Sequence, residues 1–379
     1  MPYDSMTPEQ RIQATLALQP VDRIVCAPWV TSYAAQFAGI TNKEFMWNWK
    51  SAMAAYDKLA VAYPQWDCNA AMHYMYGDAN LMRHVGFNHY KFPGTELPDN
   101  DMYQTLEVEV VSREELRIVK AKGLQPFYLK LLKNIHKTST PWLIWGFIKS
   151  DIYQKKEIKS TLKRGQSFLY GAGAPTGNEL FSLTRGMGNY VKDMFQMKDE
   201  LVEILWRFNE DFFKLAMKSV KGNGIRRAFV PCTRTSSTFL SPKNFEKFSW
   251  PFIKDMAEKL IAQGVVPIFH MDTDWGPNLE NFLQLPKGKF AVELDGETDI
   301  FKAYEILKGH ATISGDIPSS MLALGSPTEV DDYCKKLITT LGKSGTGFIL
   351  RPACTMPMNA KHENVKAMFQ AVDKYGRYN

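Results

Sequence analysis

Cysteine is scarce in this chain and never paired. Its five cysteines (Cys26, Cys68, Cys232, Cys334 and Cys354) are odd in number, scattered and without C-x-x-C spacing. That excludes a disulfide framework and a knuckle-type zinc site, and it suits reduced thiols in a cytoplasm. Long apolar runs are missing too. Nowhere do about 18 apolar residues follow one another, so no membrane span is expected. The opening Met1-Pro2-Tyr3-Asp4 has no basic-then-apolar leader, so nothing points to secretion. Nor does one sign of charge dominate. A net charge of +6 permits an acidic partner, but without a nucleic-acid motif it does not call for DNA or RNA.

What is there is an ordinary globular composition, 45% hydrophobic and 23% charged, on a chain of 379 residues that can bury a large core. Thr7-Pro8-Glu9-Gln10 reads as a helix start, with a capping box and a first-turn proline. Apolar stretches then recur as buried strands: Arg23–Trp29, a weaker one near Trp66–Ala71, Gln166–Tyr170, Arg227–Cys232, Val265–Met271, Lys289–Asp295, Ala311–Asp316 and Gly347–Ala353. Helical segments lie between most of them, among them Lys43–Tyr63 and Asp199–Val220. Residues 77–110 read as a long loop leading into an extended segment, Leu106–Val111. Eight buried strands without a second core predict a single α/β domain over residues 1–379. The expected fold is a (β/α)8 TIM barrel with an N-terminal helical cap.

Residues 128–164 stand apart. Nine Lys or Arg face only Asp151 and Glu157, interleaved with Trp142, Trp145, Phe147 and Tyr153. The segment reads as a basic insertion, either a solvated and partly helical one or a mobile lid or docking surface for an acidic partner. The glycine-rich stretch Gly171–Gly177 is not a dinucleotide fingerprint. Ala-Pro follows Gly173, and no acidic residue ends a strand about 20 residues on.

Chemistry in such a barrel sits at the C-terminal strand ends, where His270, Asp272, Cys354, Cys232, Glu293, Asp295 and Asp316 all fall. His270 and Asp272 are two apart on a strand and point the same way. With Cys354 they offer imidazole, carboxylate and thiolate, three ordinary zinc ligands with a fourth position open. The alternative is a rim histidine, a helix-capping Asp272 and a buried Cys354. Glu293 and Asp295 read as a general acid or base, or as anchors of a metal-bound histidine. Rim polarity is the simpler account of Asp295. Glu293 lies deeper, where an unpaired carboxylate is costly. The loop Ser314–Ser320 follows the seventh strand, where anionic groups are often received, or else is a plain turn. Cys232 is a candidate fourth ligand or a packed thiol.

Several stretches resemble the uroporphyrinogen decarboxylase superfamily and, within it, the corrinoid-dependent methyltransferases: Thr7–Arg11 through Pro20–Arg23, Leu240-Ser241-Pro242 through Phe252, Pro267–His270, Gly315-Asp316, Gly325–Val330, and Gly347–Leu350 through Glu363–Met368. The resemblance implies the barrel. Decarboxylases of the superfamily carry an arginine-rich segment after the first strand, and Pro28–Phe37 here has no arginine. Thiol-alkylating methyltransferases carry His-x-Cys and a distant Cys. His270 and Cys354 match the outer positions, and Asp272 stands where the middle cysteine would be. A carboxylate makes the site harder and its zinc a stronger Lewis acid, better suited to an oxygen that is about to leave.

The resemblance therefore implies a zinc-dependent methyltransferase working with a partner corrinoid (cobalamin) protein, with Zn2+ held by His270, Asp272 and Cys354. An aryl methyl ether is the expected small-molecule substrate. Trp29, Tyr33 and Phe37 are expected to flank it, with Asp316 as a further substrate contact and Glu293 and Asp295 as the catalytic carboxylates. Thiol or folate methyl transfer, or a decarboxylase-like lyase, stays open, as does a homodimer.

Overall fold

The structure, a computed structural model, describes residues 4–69, 76–85, 89–137 and 139–378. Its strands are β1 (Val25–Cys26), β2 (Cys68–Asn69), β3 (His89–Lys91), β4 (Gln104–Leu106), β5 (Ser167–Phe168), β6 (Ala172–Gly173), β7 (Arg227–Cys232), β8 (Val266–Met271), β9 (Ala291–Leu294), β10 (Thr312–Ile317) and β11 (Phe348–Pro352). Seven of them form one sheet in the order β1-β11-β10-β9-β8-β7-β6, every neighbour parallel. β2 and β5 close the ring. They pair in parallel, the Asp67 amide donates to the Cys26 carbonyl (2.9 Å), and the Gly171 amide between β5 and β6 donates to Arg227 (2.8 Å). β5 and β6 thus act as one interrupted strand, and eight strand positions make the expected parallel barrel.

The alternation of side chains along each strand sorts two cores. Inside the ring, Val25, Ala27, Cys68, Leu169, Ile268, Ala291 and Ile349 pack together, and Ile12 and Leu16 of the first helix (Pro8–Leu16) join them. Outside it, Phe269, Met271, Val292, Leu294 and Leu350 face the helices. His270 sits between two outward-facing residues, so it must point inward.

A buried ion-pair network holds the first helix in place. Arg11 donates to Asp22 (2.7 and 2.9 Å) and Asp67 (2.6 Å), and Arg23 donates to Asp67 (2.8 Å) and Asp4 (2.9 Å). Fully buried guanidinium groups persist only when paired in this way.

Two local expectations are corrected. Lys43–Tyr63 is two helices, Asn42–Trp47 and Trp49–Ala62, because Asn48 turns extended (φ −123°, ψ 107°) and its side chain caps Lys50 and Ser51. The loop at 77–110 contains a helix (Asn80–Val85) and the β3–β4 hairpin, and the extended strand ends at Leu106 rather than Val111. The Val110 and Val111 amides turn instead to the Thr184 carbonyl. The basic insertion is two helices, Leu124–His136 and Thr140–Lys163. Residues 70 and 71 of the weaker expected strand, and His73, lie outside the described residues. No helix among the described residues is long and apolar enough to cross a membrane.

Candidate metal centre at the barrel mouth

β8 delivers His270 into the barrel near its C-terminal end, and the chain continues as Asp272 on the same side. β11 brings in Cys354 two residues past its last paired position. The His270 Nε2 lies 3.8 Å from the Cys354 sulfur and 3.4 Å from Asp272 Oδ1. One donor atom from each residue lies within 4.8 Å of the others, and among the described residues this is the only His, Cys, Asp or Glu group so arranged. A tetrahedral zinc with bonds of about 2.0–2.3 Å separates neighbouring donors by roughly 3.3–3.6 Å. These side chains could hold such an ion with small adjustments.

The capping alternative for Asp272 does not describe the structure. The following turn is capped by Asp274, whose Oδ1 accepts from Gly276 (2.8 Å), and the Thr273 amide goes to Asp295 (2.8 Å). The Asp272 carboxylate is left facing His270. Burial chiefly, then Asp295 and Glu293, raise its pKa against the pull of His270 and Arg351.

Behind His270 stands a fully buried row. Glu293, opposite His270 in the β8–β9 register, accepts at Oε2 from Nδ1 (3.0 Å), which turns Nε2 toward Asp272 and Cys354. Its Oε1 accepts from the Tyr170 hydroxyl (2.5 Å) and pairs with Arg351, whose Nη1 also reaches that hydroxyl (3.3 Å). Burial by itself would push Glu293 up, but Arg351, His270 and Tyr170 outweigh it and bring it down to about 2. Burial likewise pushes His270 down, but Cys354 and Glu293 outweigh it and hold it up to about 10. A carboxylate behind a ligating histidine fixes the ring's tautomer and orientation.

Tyr170 and Arg351 were missed from sequence. The available signal was a charged residue inside the otherwise apolar run Gly347–Ala353, like Glu293 in its own strand. Glu179 was missed too. Buried in the first turn of the helix Gly177–Thr184, it accepts from the Thr233 and Arg234 amides (3.0 and 3.1 Å) and shapes the loop after β7.

The other expected residues divide. Trp29 packs edge-on against His270 (ring centroids 5.7 Å), and Phe229 lies 5.3 Å from the same ring. Tyr33 and Phe37 lie elsewhere: Tyr33 hydrogen-bonds His362 (2.9 Å), and Phe37 packs on His362 and Tyr63. The helix Tyr33–Ala38 turns them into the outer core. Asp295 spends both oxygens on backbone amides, Thr273 and Glu297 (3.0 Å), and so braces the turn after Asp272. Asp316 is buried and accepts from Tyr333 (2.7 Å); burial first of all holds it up at about 6. Cys232 packs in the outer core and is not among the converging donors. Burial first, and Cys354 in smaller part, hold the Tyr103 hydroxyl above the usual range.

Residues 158–375 match the family model described as Uroporphyrinogen decarboxylase (URO-D), and the chain belongs to that family. No curated protein matches it. Among solved structures it resembles a methyltransferase from Methanosarcina mazei, with a TM-score of 0.67 over 98% of this chain and 99% of that one, at 16% identity. At that identity the likeness speaks for the fold.

Proposed function

We propose that this uroporphyrinogen decarboxylase family member is a zinc-dependent methyltransferase. It moves a methyl group between a small substrate, an aryl methyl ether by preference, and the cobalt of a separate corrinoid protein. The observation that carries this reading is the donor set: His270, Asp272 and Cys354 converge at the mouth of a barrel resembling that of a methyltransferase. When bound there, zinc supplies a Lewis acid that favours negative charge on the oxygen the methyl group leaves.

The chain's own residues do the rest. Glu293 holds the proton on His270 Nδ1 and keeps Nε2 turned toward Asp272 and Cys354. Arg351 and Tyr170 hold Glu293 in turn, so the ring cannot swing without breaking a buried ion pair. Asp272, a carboxylate where a thiolate would soften the set, tilts the preference from sulfur toward oxygen. Trp29 and Phe229 wall the site with aromatic surface, which suits an aryl ring and keeps water off His270. A cytoplasmic setting agrees with five free cysteines.

The test has two steps. Protein purified without chelator should contain about one zinc per chain. It should then methylate the cobalt of a reduced corrinoid protein when given a methoxy-aromatic, and not when given methylated thiols or folates. Absence of zinc overturns the ligand set. Transfer with thiols or folates alone would replace the ether reading, and carbon dioxide release from a porphyrinogen would return the chain to decarboxylation.

A further inference from the structure

The helix Thr140–Lys163 has one face that nothing covers. Leu143, Gly146, Ser150, Glu157 and Thr161 are its buried residues. On the opposite side Ile144, Trp145, Ile148 and Ile152 are 51%, 58%, 49% and 42% exposed. At about 100° per residue these four fall within one narrow arc, so they form a continuous apolar strip. Farther along the same arc the chemistry changes to exposed Lys155, Lys156, Lys159 and Lys163. Asp151 is already bonded to Lys155 (2.7 Å), and Lys159 and Lys163 have no carboxylate partner among the described residues. An uncovered strip of this kind on a folded protein marks an interaction surface.

Its place in the fold says what it serves. The helix ends just before β5, at the N-terminal end of the barrel, and runs alongside the helix Trp49–Ala62, which leads into β2. Arg164 pairs with Asp57 (3.0 Å) and Tyr153 packs on Trp49 (ring centroids 4.8 Å), so the residues before Tyr153 lie toward the mouth. The apolar half is therefore the mouth end. Trp142 there stacks on His84 (3.9 Å) of the helix Asn80–Val85, and Gly146 leaves room for that ring, since a Cβ would fall on it. That helix, like the helix Thr140–Lys163 itself, belongs to the connection between β2 and β5.

We infer that the face of the helix Thr140–Lys163 docks the methyl-carrying partner protein, with Ile144, Trp145, Ile148 and Ile152 as the apolar anchor and the lysines pairing with carboxylates on the partner. This rests on the proposed methyl transfer to a corrinoid protein, and it assigns that partner a surface: an aliphatic patch continued by an acidic one. Aromatic and aliphatic anchors supply affinity at such contacts, while the charges set orientation and association rate. The lysine run disfavours a second copy of this chain, whose matching face would repel it.

The experiment compares two acceptors, free cob(I)alamin and the corrinoid protein that the wild-type enzyme methylates fastest from a purified panel. Two variants are used: Trp145→Glu with Ile148→Glu, and Lys156→Glu with Lys159→Glu and Lys163→Glu. Because all five residues are exposed, both variants should fold, which circular dichroism and zinc content verify. For each, KM for the corrinoid protein should rise tenfold or more, with transfer to free cob(I)alamin unchanged. Added salt should weaken the wild-type protein acceptor and leave the free one alone. Equal rates with both acceptors in wild type and variants overturn the docking surface while leaving the methyltransferase reading intact. So does a wild-type dimer that the variants dissolve, or pelleting of the wild type with phosphatidylglycerol vesicles but not with phosphatidylcholine ones. If the wild type methylates neither acceptor, the methyltransferase reading fails, and this occupant fails with it.

Discussion

Glu293→Gln is the most informative single change, because the two oxygens of Glu293 do different work. Oε2 accepts from His270 Nδ1, while Oε1 accepts from Tyr170 and pairs with Arg351. Glutamine keeps the shape but has one acceptor oxygen and one donor nitrogen. If the oxygen faces Arg351 and Tyr170, the NH2 meets the Nδ1 proton and the imidazole loses its anchor. If the oxygen faces His270, the NH2 meets two donors. Either way the Arg351 guanidinium, fully buried, has lost its counter-charge. Breaking one side of a buried pair costs about 3–5 kcal/mol. Loss of the group behind a ligating histidine costs about 10- to 100-fold in metal affinity. Urea unfolding and zinc competition against a chromophoric chelator read the two effects separately. Adding Arg351→Met to Glu293→Gln should recover much of the stability, since no unpaired charge remains, but none of the zinc affinity. A Glu293→Gln protein that binds zinc within twofold of wild type would refute the view that Glu293 orients His270.

Three further outcomes follow from other parts of the molecule. Asp272→Cys should keep zinc at least as tightly and move methyl transfer from ethers toward thiols, scored by zinc competition and a paired substrate assay; undiminished ether turnover would sink the argument from donor hardness. Burial by itself would push Asp22 up, but Arg11 and the amides of Met6 and Arg23 outweigh it and bring it down to about 2. Its stabilisation is therefore complete above the ordinary value near 3.8 and is lost as pH falls through about 2, so Asp22→Asn should flatten the stability loss across that window in urea unfolding at stepped pH. Gly146→Ala puts a methyl group on the His84 ring; overpacking of this kind costs about 1–3 kcal/mol, seen as a lower urea midpoint with zinc content unchanged.

Much of the fold was legible in the residues. Each barrel strand is a short apolar run bounded by turn residues, and Thr7–Gln10 and Ser326–Glu329 both form the capping boxes their sequence spells out. The spacing along β8 already placed His270 and Asp272 on one side of the chain. Less legible was anything set by contact between distant segments. Tyr33 and Phe37 looked like the wall of a pocket because they are aromatic and follow the first strand. Which way that helix faces depends on His362 and Tyr63, far away in the chain. Asn48 could as well have sat inside one long helix, and only the packing of two short ones shows it as a cap.

Local periodicity, then, determines where the strands fall along the chain and that His270 and the carboxylate two residues on share one side of theirs. It does so because side-chain direction repeats every two residues whatever the strand's neighbours are. The meeting of those groups with Cys354 is a different matter. It depends on the closure of the ring between strands far apart in sequence, and on the register that sets Glu293 beside His270 and turns Nε2 toward Asp272 and Cys354. Only the tertiary structure decides that register, because packing of both cores selects it. The same packing shows that Asp272 caps nothing and that one face of the basic helix is left uncovered.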